Sequence, residues 1–200
     1  MYILDIAPGK KWQDWVDKIT PDDTVVCVDN GFQKPTLDNS WFANPISIER
    51  KSKIQQIKLN SSDIFEFLQI PLLWKFNKIV SERFFEHLDE HQILYLLYLL
   101  YESSAPGAKL KIVVPNIQMV IQRYGELDPE SMTPKELVNG IIACTTETFN
   151  ETADPHRSIW TMKMGRYWIE MEDYWIIDSI RESVTLDNRN WYIEFNAIRR

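Results

Sequence analysis

Short apolar runs alternate with segments of helical periodicity along most of the chain. Each run is short and rich in β-branched residues, which is typical of buried strands. Alternating strands and helices favour a parallel sheet covered on both faces and connected by right-handed crossovers. The predicted fold class is therefore α/β, with a doubly wound, mostly parallel seven-stranded sheet and a C-terminal antiparallel hairpin. The predicted strands are residues 2–6, 24–28, 53–59, 76–80, 109–114, 174–185 and 191–198.

The helical segments place apolar residues on one face, at intervals of three and four positions. Ile64, Phe67 and Leu68 form such a face in a short helix that opens at residue 63. Ser81 is predicted as the N-cap of a long helix that runs to residue 102. A Pro-Gly pair at 106–107 predicts a turn before the fifth strand. The other predicted helices are residues 12–19, 133–148 and 161–172.

Composition narrows the class of protein. The chain has 200 residues, of which 44% are hydrophobic, so we expect residues 1–200 to form one domain. The net charge of −7 makes duplex nucleic acid an unexpected partner, because neutralising phosphates requires clustered Lys and Arg. Cys27 and Cys144 lie among apolar residues and predict buried thiols in a reducing compartment. No signal peptide or membrane-spanning run is visible, so we expect a cytoplasmic protein without a membrane partner.

The end of the first predicted strand carries an arrangement suited to a cofactor. Asp5 is followed by a turn in which Ala7 and Gly9 flank one proline, and small residues allow the backbone to approach a ligand closely. Asp29 ends the second strand and provides a carboxylate that can accept both hydroxyls of a ribose. The glycines of a GxGxxG turn are missing, as is a GxxxxGK[ST] loop. A nicotinamide-dependent oxidoreductase is therefore disfavoured.

This layout resembles the class I S-adenosylmethionine-dependent methyltransferases, whose first motif is an acidic residue followed by a small-x-Gly turn. The segment 76–88, FNKIVSERFFEHL, is similar to the fourth strand and following helix of that family, including its Glu-His-Leu sequence. The segment 104–116, SAPGAKLKIVVPN, is similar to its Pro-Gly turn, fifth strand and Pro-Asn exit. The closing hairpin matches its sixth and seventh strands. The resemblance covers most of residues 1–116 and the C-terminus, and it implies S-adenosylmethionine as the cofactor.

The resemblance also implies which residues contact the cofactor. They are Asp5, Ala7 and Gly9 at the methionine end, Asp29 at the ribose, Asn60 and Ser61 near the adenine edge, and Ser81 and Glu82 facing the transferred methyl group. Ala7 stands where the family usually has Gly. The segments 30–50 and 116–160 would be substrate-side insertions over which the methyl acceptor enters.

The histidines allow more than one interpretation. His156 lies in a predicted loop on the substrate side, where its imidazole could act as a general base. The alternative is a loop histidine with local hydrogen bonds. His87 and His91 are four positions apart on a predicted helix and, with Glu90, fit a metal-binding HxxEH pattern. No third ligand is evident, so we interpret them as a satisfied or solvated pair and predict no metal site.

Three tyrosines lie along one edge of the long predicted helix, at Tyr95, Tyr98 and Tyr101. This stripe predicts core packing. Alternatively, part of it forms a surface for a second copy of the chain or another protein, through residues 93–101.

Together these features predict an S-adenosylmethionine-dependent methyltransferase acting on an O or N acceptor, such as a small molecule, a sugar or a nucleotide. Methyl transfer requires mainly in-line positioning, since the sulfonium is already activated. An acid or base is needed only where the acceptor must lose a proton, and His156 is the candidate. The alternative is a catalytically degraded methyltransferase-like fold used as a structural or assembly module, which Ala7 would suit.

Overall fold

A computed structural model describes residues 1–7, 18, 20, 22–29, 54–58, 63–70, 75–116, 118, 157–184 and 191–200. Its elements confirm the predicted α/β class. They are β1 (Tyr2–Ile6), β2 (Thr24–Asp29), β3 (Ile54–Lys58), α1 (Asp63–Gln69), β4 (Phe76–Glu82), a 3₁₀ helix (Phe85–His87), α2 (Glu90–Glu102), β5 (Ser104–Pro115), α3 (Met162–Glu170), β6 (Trp175–Val184) and β7 (Trp191–Arg199). The predicted helices at 12–19 and 133–148, and the segment 30–50, lie outside the described residues.

The strands form one mixed sheet in the order β3-β2-β1-β4-β5-β7-β6. Strands β1 to β5 pair in parallel, whereas β7 lies antiparallel between β5 and β6. The predicted C-terminal hairpin is confirmed. From β1 the chain runs outward to β3 and then returns to β4 on the other side of β1. Open α/β sheets bind their ligands at such a switch point, at the carboxyl ends of the strands.

The main core lies between one face of this sheet and helices α1, α2 and α3. Leu4 and Ile6 of β1 point into it, together with Phe67 of α1. Ile64, Phe67 and Leu68 are all buried, as the sequence predicts. Among the aromatic core residues, the ring of Trp160 lies 5.8 Å from that of Phe195. Full burial of a large apolar side chain contributes about 1.5–3 kcal/mol, so the contact between these rings holds the segment before α3 against β7.

The long helix begins later than the sequence predicts. Ser81 belongs to β4, and the 3₁₀ helix intervenes before α2. Asp89 is the N-cap of α2: its side chain accepts from the backbone N–H of Gln92 at 2.9 Å. The Gln92 side chain in turn accepts from the backbone N–H of Asp89 at 3.0 Å. The prediction of Ser81 as N-cap is therefore wrong, because strand pairing extends β4 through residue 82 and this capping box starts the helix instead.

The predicted turn at residues 106–107 is also wrong. Both residues lie inside β5, which starts at Ser104 immediately after α2. Gly107 has a φ of 73°, and the pairing of β5 with β4 shifts register between Phe76 and Lys78. The Pro-Gly pair therefore creates an irregularity within a strand rather than a turn before one.

The tyrosine stripe is only partly packed against the protein. Tyr95 and Tyr98 are 44% and 39% exposed, so the prediction of core packing is wrong for these two. Tyr101 is half-buried, and its ring lies 4.8 Å from that of Tyr174. His87 and His91 do not share a helix, since His87 ends the 3₁₀ helix and His91 belongs to α2. Among the described residues, none of the helices has the length and apolar character needed to cross a membrane.

Candidate active site

The turn after β1 has an unusual backbone conformation. Ala7 has a φ of 56°, in the left-handed region that residues with a Cβ rarely adopt. Its backbone N–H donates to the carbonyl oxygen of Val28 at 2.7 Å, which fastens the turn to β2. Glycine adopts this conformation without strain. The geometry therefore explains the small residue at this position and agrees with the close-approach turn that the sequence predicts.

Asp5 lies one residue before the end of β1 and is 5% exposed. It is in register with Cys27 of β2 and Val80 of β4. Its neighbours Leu4 and Ile6 point into the main core. Since side chains alternate along a strand, Asp5 lies on the opposite face of the sheet. A buried acidic residue thus stands directly before the Ala7 turn, as the sequence predicts.

Asp29 is the last residue of β2. It follows Val28, whose carbonyl oxygen accepts the hydrogen bond from Ala7. The backbone of Asp29 therefore lies beside the turn that leaves β1. The fold brings Asp5, Ala7 and Asp29 together at the carboxyl ends of two neighbouring strands.

Ser81 lies where β4 passes between β1 and β5, in register with Ile6 and Ile112. Its side chain is fully buried. Among the described residues, its Oγ has no hydrogen-bond partner. Ile6 and Ile112 both belong to the main core, so Ser81 lies on the core-facing side of the sheet. Leaving a buried hydroxyl unsatisfied costs about 1–3 kcal/mol, a cost that a hydrogen bond to a bound group would remove. Ser81 lies within β4 and not after it, which corrects its predicted place at the strand exit.

Glu82 is the last residue of β4, and an ion pair orients its side chain. Its carboxylate lies 3.5 Å from Lys111 Nζ, which also contacts Glu194 at 3.0 Å. Burial acts to lower the pKa of Lys111, but the Glu194 and Glu82 carboxylates outweigh it and raise that pKa above 10.5. Glu82 is therefore directed toward β5, and it too lies within β4 rather than after it.

Arg83, which sequence reasoning missed, shares the conformation of Ala7. It follows β4 with a φ of 58°, and its backbone N–H donates to the Val113 carbonyl at 2.8 Å. Strained backbone of this kind clusters at functional sites. A residue with positive φ thus follows each of the adjacent strands β1 and β4. An arginine gives no sequence signal for a left-handed residue, so this feature was not predictable.

The segment after β4 is joined to the chain beside His156. The carbonyl oxygen of Glu86 accepts from the backbone N–H groups of Arg157 at 2.7 Å and Ser158 at 3.1 Å. Glu86 is 1% exposed and is the first residue of the Glu-His-Leu sequence. The residue that follows His156 is thus held near the carboxyl end of β4. The predicted site residues that lie outside the described part of the chain are Gly9, Asn60, Ser61 and His156.

The sequence matches no protein-family profile and no curated protein. Solved structures are similar in fold. A SAM-dependent methyltransferase from Methanosarcina mazei is 17% identical with a TM-score of 0.60, over 99% of this chain and 92% of that one. A candidate S-adenosylmethionine-dependent methyltransferase from Listeria monocytogenes is 11% identical with a TM-score of 0.63, over 100% and 91% of the two chains. The N-methyltransferase NodS from Bradyrhizobium japonicum, in complex with S-adenosyl-L-homocysteine, is 12% identical with a TM-score of 0.53, over 99% and 77%.

These similarities show that the chain has the class I S-adenosylmethionine-dependent methyltransferase fold, as the sequence resemblance indicates. At such low identity the likeness concerns the fold alone. Activity, cofactor and acceptor depend on the residues at the strand exits.

Proposed function

We propose that the protein is an S-adenosylmethionine-dependent methyltransferase that acts on an O or N acceptor, such as a small molecule, a sugar or a nucleotide. The observation that carries this proposal is the left-handed turn at Ala7, hydrogen-bonded to the end of β2. Asp5 and Asp29 flank this turn at the switch point of a methyltransferase fold. When bound, S-adenosylmethionine supplies a methyl group already activated on a sulfonium.

The residues at the strand exits fit such a cofactor chemically. The Asp5 carboxylate complements a positively charged amino group, and the Asp29 carboxylate can accept from two ribose hydroxyls. The buried Ser81 hydroxyl would gain a partner. The proposed cofactor residues are Asp5, Ala7 and Gly9 for the methionine end, Asp29 for the ribose, Asn60 and Ser61 for the adenine, and Ser81 and Glu82 for the methyl end.

In this proposal the chain contributes mainly positioning. Holding the acceptor in line with the methyl group removes much of the entropic barrier. His156 accepts a proton where the acceptor hydroxyl or amine must lose one. The hydrogen bond between Arg157 and Glu86 supports this role, because it holds the chain next to His156 at the end of β4. The acceptor would enter over the segments 30–50 and 116–160.

Calorimetric titration with S-adenosylmethionine and S-adenosylhomocysteine tests the cofactor pocket. We expect dissociation constants on the order of micromolar for the wild type. Asp29→Ala should abolish binding and leave the fold intact. Asp178→Ala, which removes an exposed carboxylate from β6, is the matched control and should bind normally. Absence of binding to either ligand would contradict the proposal, as would equal binding by both variants.

His156→Ala separates binding from turnover. Once an acceptor has been identified, this variant should bind the cofactor like the wild type and turn over more slowly. Unchanged turnover would remove His156 from the mechanism.

The alternative, a catalytically degraded fold kept as an assembly module, has no support from the comparisons. Three sequence-based expectations remain part of the proposal: one domain over residues 1–200, a doubly wound arrangement of the sheet, and a cytoplasmic location. The last is supported by Cys27, which is fully buried, as the sequence predicts.

A further inference from the structure

The outer side of α2 carries a line of four residues that are exposed in the described part of the structure. We call His91, Tyr95, Tyr98 and Glu102 the outer seam. They are spaced by four, three and four positions, which is the spacing along which two helices pack against each other. The opposite side of α2 is buried in the main core through Ile93, Leu96, Leu97, Leu99 and Leu100. Helix α2 therefore has two faces suited to packing, of which the described residues bury one.

The positions of the outer seam are spaced symmetrically along the helix. His91 and Glu102 are equally far from its midpoint, as are Tyr95 and Tyr98. If a second copy of α2 packs antiparallel, Tyr95 of each copy meets Tyr98 of the other. His91 then lies opposite Glu102 at both ends, where an imidazole N–H can donate to the carboxylate. Two-fold symmetric interfaces have this reciprocal pattern, in which residue i meets j and j meets i.

We propose that the protein forms a two-fold symmetric dimer in which the outer seams of two α2 helices pack antiparallel. This inference goes beyond the proposed function and does not depend on it. A parallel arrangement is disfavoured, because it would place Glu102 opposite Glu102.

The tyrosines of the outer seam are held in place by neighbouring rings. Tyr95 stacks on Phe65 of α1, with centroids 5.8 Å apart and an interplanar angle of 5°. Tyr95 and Tyr98 lie 6.4 Å apart, and Tyr98 lies 5.7 Å from Tyr174. Rings already ordered in the free protein lose little conformational entropy on association. Tyrosine is also enriched at the centres of protein interfaces.

Helix α3 lies beside α2 and also carries exposed apolar side chains. Its indole donor Trp168 Nε1 lies 3.3 Å from Glu90 at the start of α2, so the two helices are neighbours. In and just after α3, Met164, Tyr167 and Met171 are 39%, 55% and 45% exposed. A stable interface buries about 800 Å² per partner. Four side chains are too few to bury that area, so in this proposal the exposed residues of α3 contribute to the interface as well.

Sedimentation velocity of the full-length protein, from low to high micromolar concentration, tests the proposal. We expect a wild-type dimer. Tyr95→Glu combined with Tyr98→Glu should give a monomer with an unchanged circular dichroism spectrum. Ile176→Glu is the matched control, because Ile176 is 43% exposed and lies on the sheet face opposite Trp175, the residue whose indole contacts α2. A monomeric wild type at all concentrations overturns the proposal, as does dissociation of the Ile176→Glu control.

A charge exchange tests the antiparallel register. His91→Glu alone places two carboxylates opposite each other and should raise the dimer dissociation constant at least about tenfold. Adding Glu102→His restores a complementary pair, so the double variant should dimerise like the wild type. Failure of the second change to rescue the first would overturn the antiparallel seam. Neither result depends on cofactor binding, which calorimetry measures separately.

Discussion

The backbone N–H of Ala7 donates to the carbonyl oxygen of Val28 at 2.7 Å, while Ala7 itself has a φ of 56°. The hydrogen bond thus holds a residue with a Cβ in a conformation that costs it about 1–2 kcal/mol relative to the right-handed region. The strain lies at the exit of β1, between two acidic strand ends. The backbone conformation at position 7 therefore restricts which residue types fit there, in addition to the contacts of the side chain.

Ala7→Gly should remove this strain without removing the hydrogen bond. We expect the free energy of unfolding to rise by up to about 1 kcal/mol, because the relief outweighs the added freedom of the unfolded chain, which is about 0.4–1 kcal/mol. Ala7→Val is the control and should lower the free energy of unfolding, since a β-branched residue tolerates this conformation poorly. Urea denaturation measures both. Equal stability of all three proteins would contradict the strain.

The part of the site on β1 and β2 could be predicted from the sequence, whereas the part on β4 could not. Asp5 and Asp29 follow from the ends of two apolar runs, and a tight exit requires a small residue such as Ala7. The end of β4 depends instead on its pairing with β1 and β5, which no local pattern shows. That pairing places Glu82 inside the strand, beside Lys111, so that Arg83 is the residue with the left-handed conformation after β4.

Gly165 of α3 lies directly against the ring of Phe195 of β7. A Cβ at this position would come within 2.2 Å of the ring carbon Cζ. Gly165→Ala should therefore lower the free energy of unfolding by about 1–3 kcal/mol, even though alanine favours a helix by about 1 kcal/mol. Thermal denaturation gives the result. An unchanged or raised melting temperature would show that α3 does not pack this closely on the sheet.

Two further variants separate steric from backbone effects. In the described part of the chain no atom lies within 4 Å of a Cβ at Gly107, but its φ is 73°, so Gly107→Ala should cost only about 1–2 kcal/mol of backbone strain. Phe195→Leu makes room beside Gly165. Its combination with Gly165→Ala should be less destabilising than the sum of the single changes, because residues in contact are not additive.

The overall fold was predictable because strands such as β1 and β2 correspond to short apolar runs, and β1 has the predicted bounds. The start of α2 was not predictable, because serine and aspartate are both good N-cap residues and only strand pairing decides between Ser81 and Asp89. The prediction that Tyr95 and Tyr98 pack in the core was wrong for a related reason. Periodicity identifies an apolar face, but α2 has apolar residues on two faces, and Tyr95 and Tyr98 belong to the one the chain leaves exposed.

The ion pair of Lys111 with Glu194 should make stability depend on pH. Burial raises the pKa of Glu194, but hydrogen bonds from Asn196 and Lys111 outweigh it and hold that pKa below 4.5. A lowered carboxyl pKa contributes stability that is fully present above 4.5 and is lost as pH falls through the folded value. The raised pKa of Lys111 contributes stability that is present below 10.5 and is lost at higher pH.

Lys111→Met should therefore lower the free energy of unfolding by about 1 kcal/mol near neutral pH, a modest value because both side chains are partly exposed. Urea denaturation at neutral and acidic pH measures the difference, which should shrink as the pH falls below 4.5. Lys109→Met, an exposed lysine of the same strand, is the control and should change little at either pH. A difference that stays constant with pH would contradict the ion pair.

Ser81 is predicted from the sequence as the N-cap of α2, but Asp89 caps the helix in the structure. Substitutions at the two residues should therefore have different effects on stability. Asp89→Ala should lower the free energy of unfolding by about 0.5–2 kcal/mol, while Asp89→Asn keeps the capping acceptor and should preserve stability. Ser81→Ala should leave stability unchanged or slightly raised, since Ser81 Oγ has no hydrogen-bond partner within the described part of the chain. Its effect should appear instead as weaker cofactor binding in calorimetry. If Ser81→Ala unfolds as readily as Asp89→Ala and binds the cofactor normally, Ser81 is a structural residue and not part of the pocket.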